Sequence, residues 1–156
     1  MPHDVDALVE RMGGKAEFER RLDMMFALND SSSAARLLYW HGNEPCHQIP
    51  FLYSYIGKPE KTKRVVDNIL KTEYNDTPGG LSGNDDAGQM SAWYMFAAMG
   101  FYPVCPSTPY YIIGAPSLDR VTFNLENKKQ FEIIRQKSIN NSNFVRLILN
   151  GKQLDN

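Results

Sequence analysis

Two short stretches of this chain set carboxylates beside amide side chains at the heads of apolar runs: Gly42-Asn43-Glu44-Pro45 and Gly83-Asn84-Asp85-Asp86. Carboxylates so placed can do two kinds of chemistry. One alone can act as a general base toward water. Several together can hold a hard cation such as calcium, which prefers carboxylate, amide and carbonyl oxygens. Asn43, Glu44, Asn84, Asp85 and Asp86 supply that donor set. A plainer reading also fits the second stretch. Asp86 and Gln89 have the spacing of a capping box, in which the acid caps a helix and does nothing else. The positive end of a helix favours an ionised carboxylate by ~0.3–1 kcal/mol, which suits a base or a metal ligand.

HGNEPCH raises a zinc site as a third possibility, through His41, Glu44 and His47. The spacing departs from H-E-x-x-H, and Pro45 breaks the helix that such a motif needs, so calcium is the better match. Cys46 and Cys105 are too few for a disulfide framework or a cysteine-based zinc site, and read as ordinary thiols. Trp40, Tyr53, Tyr55, Trp93 and Tyr94 could stack on sugars, but at helical spacing they read mainly as core. Pro2-His3-Asp4 offers an acid–base pair, although capping already explains Asp4.

The elements that must position these residues follow from periodicity and punctuation. Asp4 caps a helix over Val5–Met12, stopped by Gly13-Gly14. Lys15 to Phe26 is amphipathic, with Phe18, Leu22, Met25 and Phe26 on one face. Pro50 opens a short apolar helix, FLYSYI, ended by Gly57. Pro59 opens an amphipathic helix that turns Val65, Val66, Ile69 and Leu70 inward. After the turn-rich NDTPGGLSGNDDAG, a helix from about Ala87 to Met99 is apolar on every side and is expected to be buried.

These helices alternate inner, outer, inner. The two Gly-Asn-acid loops lie 41 residues apart, each ahead of an inner helix, a period that suits a repeated helix pair. If successive inner helices run parallel, both loops fall on one rim and Glu44 converges with Asp85 and Asp86. Beyond Gly100, FYPVCPSTPYYIIGAPS reads as an irregular connector. RVTFNLE, QFEIIRQ and FVRLILN then alternate as half-buried antiparallel strands, with a turn at Asn127-Lys128-Lys129. The fold class is thus mainly α with a C-terminal antiparallel β segment, divided at 1–104 and 105–156.

The chain has 156 residues, 42% hydrophobic and 22% charged, with a formal net charge of −1. That balance suits a globular chain and gives no case for nucleic acid or an anionic membrane. No apolar run is long enough to span a bilayer, and the first residues lack the apolar core of a signal peptide. Sequons occur at Asn29, Asn75 and Asn140, and matter only on secretion.

At HGNEPCHQIPFLYSYIGKPEKT and GGLSGNDDAGQMSAWYMFAAMGFYPV the sequence closely resembles glycoside hydrolase family 92. The likeness extends through PHDVDALVERMGG, YYIIGAP and LNGK, and so covers essentially the whole chain. The resemblance implies a calcium-dependent, exo-acting α-mannosidase that inverts at the sugar carbon, acting on α-mannoside glycans as in N-glycan processing. It implies an (α/α)6 barrel of inner and outer helices behind an N-terminal β-sandwich, in a parent that is secreted or periplasmic. By carry-over, Asp86 is the candidate base, with Asp85 the second choice. Asn43, Glu44 and Asp86 are candidate calcium ligands, and His41 and Glu44 candidate sugar contacts. In this resemblance the general acid is a Glu just ahead of Pro2-His3-Asp4. The chain is therefore expected to be a C-terminal fragment lacking the sandwich, part of the barrel and the acid, impaired alone and exposing apolar surface. The alternative is a non-catalytic remnant that binds glycan or calcium, or is purely structural.

Overall fold

A computed structural model describes residues 3–28, 38–136 and 148–153. The chain divides into two units, Met1–Leu118 and Asp119–Asn156.

In the first unit, helix α1 (Val5–Arg11) starts where expected, with the Ala7 amide donating to Asp4 Oδ1 at 2.9 Å. Helix α2 (Lys15–Met25) buries Phe18 and Leu22. A 3₁₀ turn at Ile49–Phe51 runs into the short helix α3 (Leu52–Tyr55), and α4 (Pro59–Thr72) opens on its proline. Helix α4 buries Thr62, Val65, Val66 and Ile69, an inward stripe that also leaves Leu70 partly covered. Thr62 is more than packing: its hydroxyl donates to the Pro50 carbonyl at 3.1 Å and accepts from the Ser54 amide at 2.9 Å. Lys61 carries α4 to α2 through ion pairs with Asp23 and Glu19, both at 2.7 Å.

Helix α5 (Gln89–Met99) departs from expectation at both its start and its surface. It begins two residues later than Ala87. Met90, Trp93, Ala97, Ala98 and Met99 are buried, but Tyr94 and Met95 are 40% and 56% exposed. The described elements cover only one side of this all-apolar helix, so the expectation of complete burial fails and apolar surface is left in solvent.

The 105–118 segment is also not a separate connector. Strand β1 (Phe101–Tyr102) pairs antiparallel with β2 (Ile112–Ile113), and the Ser117 amide returns to the Ala98 carbonyl at 2.9 Å. A Cβ on Gly100 would lie 2.4 Å from Pro116 N, so this return is in close backbone contact with the end of α5. The unit boundary consequently falls at residue 118 rather than 104.

The second unit holds a hairpin of β3 (Arg120–Asn124) and β4 (Gln130–Ile134), in register from Arg120 opposite Ile134 to Asn124 opposite Gln130. Its turn is the expected one: Lys128 has φ 61 and the Lys129 amide donates to Asn127 Oδ1 at 3.0 Å. Strand β5 (Ile148–Leu149) pairs with β6 (Lys152–Gln153) instead of joining that hairpin. The remainder of FVRLILN before Ile148, and the sequons at Asn29 and Asn140, lie outside the described residues. No helix among the described residues is long and apolar enough to cross a membrane.

Candidate functional site

The two Gly-Asn-acid loops meet through their glycines. A Cβ on Gly83 would lie 2.8 Å from both Gly42 Cα and Gly42 O, and one on Gly42 would lie 2.7 Å from Ser82 O. Only glycine lets two backbones come this close. From this junction Glu44 and Asp86 bring their carboxyl groups within hydrogen-bonding reach of each other.

The local chain geometry explains why Asp86, rather than Asp85, points that way. Asp86, Ala87 and Gly88 are three consecutive left-handed residues, with φ of 43, 57 and 90. The turn they make pushes the helix N-cap on to Gly88, which offers no side chain. Asp85 takes over the cap from outside, accepting from the Ser91 amide at 2.8 Å and from the Ser91 hydroxyl at 3.0 Å. The expected Asp86–Gln89 capping box is therefore absent. Asp85 has both oxygens committed to α5, and the Asp86 side chain is left free of the helix.

Like charges in contact cannot both ionise cheaply. Hydrogen bonding and repulsion from Glu44 hold the Asp86 carboxyl above its ordinary range, with Asp85 adding to the effect. Glu44 is held below its own range, first by the hydrogen bond from Asp86 and then by its own backbone. Of the two, Glu44 is therefore the easier to ionise and Asp86 the harder. Asn43 precedes Glu44, its amide nitrogen donating to Cys46 Sγ at 3.2 Å.

Behind the pair lies a closed layer of polar aromatics. His41 is 1% exposed, with Nδ1 2.9 Å from the Tyr39 hydroxyl and Nε2 2.6 Å from the Tyr74 hydroxyl. Its ring stacks on His47 with centroids 4.7 Å apart and meets Trp93 edge-on at 4.2 Å. His47 Nε2 donates to the His41 carbonyl at 3.0 Å, and Gln89 Nε2 lies 3.1 Å from His47 Nδ1. All four histidine nitrogens are engaged. Zinc ligation by His41 and His47 therefore has no free nitrogen, and both ring nitrogens of His41 are taken by tyrosine hydroxyls. Among the described residues, no group of three or more His, Cys, Asp or Glu side chains is placed to hold a metal.

Burial, with the His47 charge as a lesser cause, pulls the His41 pKa down from 6.5 to about 3. Such a histidine stays neutral in the fold but protonates once unfolded, so its stabilisation is complete above pH 6.5 and is lost as pH falls below it. Chain stability is expected to drop by about 2 kcal/mol between about pH 7 and pH 5, before carboxylates enter. Urea midpoints at the two pH values check this, and His41→Gln should flatten the difference.

Of the aromatics, Trp93 and Tyr53 are wholly buried, as expected for core, whereas Trp40 is 60% exposed. His3 and Asp4 line a separate cavity of about 210 Å³ with Tyr55, Cys105, Thr108 and Tyr110, to which neither acidic loop contributes. From sequence, Gln89 could be read only as a capping residue. The signal for its different role is Gly88 between it and Asp86, a residue that helix interiors avoid.

The model of the glycosyl hydrolase family 92 catalytic domain matches residues 1–156, the whole chain. The chain belongs to glycosyl hydrolase family 92. Among relatives of this family 92 chain, the "Uncharacterized secreted glycosidase" of Arthroderma benhamiae is 30% identical over 175 residues, covering 99% of this chain and 22% of the relative. The family GH92 α-mannosidase BT3965 from Bacteroides thetaiotaomicron is 40% identical with a TM-score of 0.80, over 99% of this chain and 20% of that one. The family GH92 inverting mannosidase BT2199 from Bacteroides thetaiotaomicron VPI-5482 is 35% identical, also with a TM-score of 0.80, over 98% and 23%. The family 92 chain thus spans about a fifth of the length of these relatives.

Proposed function

We propose that this family 92 chain supplies the carboxylate side of an inverting, exo-acting α-mannosidase site, within an (α/α)6 barrel whose inner helices include α3 and α5. The observation that carries the reading is the contact between Glu44 and Asp86 across two loops that meet glycine to glycine. Inversion needs a carboxylate base to activate water opposite the leaving group, with a carboxylic acid to protonate that group. Asp86 fits the base: it is exposed, free of the helix, and raised above the ordinary carboxylate range, which strengthens it as a proton acceptor. Asp85 fits the role less well, because Ser91 occupies both its oxygens. Neither loop offers the leaving-group acid, which in this reading comes from the rest of the mannosidase.

The donor set also fits a hard cation. Two carboxylates within hydrogen-bonding reach of each other, with Asn43 next to Glu44 in the same loop, offer oxygen ligands of the kind calcium takes. Asn43, Glu44 and Asp86 would hold it. Bound there, calcium would supply positive charge that orients sugar hydroxyls and keeps both carboxylates ionised. The non-catalytic alternative is favoured by no specific feature of these residues.

The test is turnover of an aryl α-mannoside by a family 92 domain carrying this segment, followed by NMR of the first-formed sugar. The expected product is β-mannose, and a calcium chelator should stop its release. Retention of the α configuration, or chelator-insensitive turnover, contradicts the reading.

A further inference from the structure

The two carboxylates come from loops far apart in sequence, so something must fix how closely they approach. The glycine junction supplies one tie. On the other side of the pair, Gln89 is the next candidate, and the chain closes a circuit through it. The Gln89 amide donates to the Asp86 carbonyl at 3.2 Å, its side chain reaches His47 Nδ1 at 3.1 Å, and the His47 amide donates to the Glu44 carbonyl at 3.0 Å.

The direction of each bond follows from what its partners can do. A carbonyl only accepts, so His47 must donate from Nε2 to the His41 oxygen. In the neutral ring that burial favours, His47 Nδ1 is then the acceptor, and Gln89 presents its NH₂ group there. The same amide nitrogen lies 3.4 Å from the Tyr102 hydroxyl, which gives its second proton an acceptor. His41 follows the same logic. The Tyr74 hydroxyl donates to the Met90 carbonyl at 3.1 Å, so it accepts from His41 Nε2, and Nδ1 accepts from Tyr39. Burial favours the neutral form of both histidines, and as neutral rings both carry the proton on Nε2. The Trp93 indole N–H, donating to the His47 carbonyl at 2.8 Å, pins the backbone between them.

We propose that Gln89 and His47 are positioning residues whose side-chain hydrogen bond, fixed in direction by this network, sets the approach of Asp86 to Glu44. The proposal rests on reading Glu44 and Asp86 as the working pair of the mannosidase site. Neither Gln89 nor His47 is required to touch sugar or metal. Because the bond has a direction, shape alone cannot replace Gln89. An ionised glutamate in its place would have no proton to give, and would instead draw a proton onto His47 Nδ1.

The experiment uses the labelled 156-residue chain in chelator at one fixed pH, so that no metal is needed. Carbon NMR reads the Asp86 carboxyl shift with and without Glu44→Gln, in wild-type, Gln89→Ala and Gln89→Glu backgrounds. Nitrogen NMR reads the His47 ring. In wild type, Glu44→Gln should move the Asp86 signal. In Gln89→Ala that response should shrink by about threefold or more, as expected of coupled neighbours once their tie is removed. Gln89→Glu should protonate His47 Nδ1, which a residue serving only as packing would not do. A full-sized response in the Gln89→Ala chain overturns the proposal, as does a wild-type His47 protonated on Nδ1. If Gln89→Ala fails to fold, the isosteric Gln89→Glu decides, and a His47 ring that stays neutral there overturns the proposal. Loss of the fold there too would make the bond a determinant of the fold rather than of the pair, and also overturns it. Failure of wild type to take up calcium, measured separately, would remove the metal reading and leave this coupling standing.

Discussion

Replacing Asp86 with asparagine is expected to slow α-mannoside hydrolysis by a family 92 domain carrying this segment by about 10²–10⁴-fold, the usual worth of a positioned base. The side chain keeps its size, and α5 keeps its cap, because that cap is Asp85. The loss should therefore fall on kcat with little change in melting temperature. Asp85→Ala should show the complementary pattern. It removes an acceptor from the helix start and should cost ~0.5–2 kcal/mol of stability, with a smaller effect on the chemical step. Steady-state kinetics and thermal melts of the two variants separate the roles. A large kcat loss in Asp85→Ala and a small one in Asp86→Asn would reverse the assignment.

Trp93→Ala should have the largest effect on the fold. The indole is wholly buried and packs against His41, Phe51 and Tyr74, with ring centroids at 4.2, 6.2 and 6.1 Å. Removing a buried aromatic typically costs ~3–5 kcal/mol. Here the His47 carbonyl also loses its donor, which adds the cost of an unsatisfied buried group. Against a domain stability of ~5–15 kcal/mol, that is a substantial share of the whole. The melting temperature should fall by roughly 10 °C or more. Trp93→Phe keeps an aromatic ring but loses the N–H and part of the buried indole volume, so its cost should be smaller, about 1–3 kcal/mol. Urea denaturation followed by circular dichroism measures both, and equal losses would show that volume plays no part.

The parts of the fold that were legible in the sequence were those decided locally. Asp4, Pro50 and Pro59 sit at or just inside helix starts and Gly13 and Gly57 at helix ends, because caps and punctuation act over a few residues. The inward stripe Val65, Val66 and Ile69 followed from period alone. What failed depended on distant partners. The Asp86–Gln89 spacing matched a capping box, but contacts with Glu44 and His47 took both side chains elsewhere. The 105–118 stretch looked irregular because its order comes from pairing with Phe101–Tyr102 and from the close approach of Pro116 to Gly100. From sequence His41 reads as a contact residue, and only the folded positions of Tyr39 and Tyr74 show both its ring nitrogens to be engaged. The repeat of the two acidic loops implies that they share a rim, and the glycines in Gly-Asn-acid make their meeting possible.

Calcium titration of the 156-residue chain by calorimetry, wild type beside Glu44→Ala, tests the claimed carboxylate site most directly. Uptake at a single site is expected in wild type. Glu44→Ala should weaken that uptake beyond the ~10–100-fold that changes outside a metal's direct ligands typically cause. No heat in wild type, or equal binding in both proteins, would show that Glu44 and Asp86 do not form a calcium site.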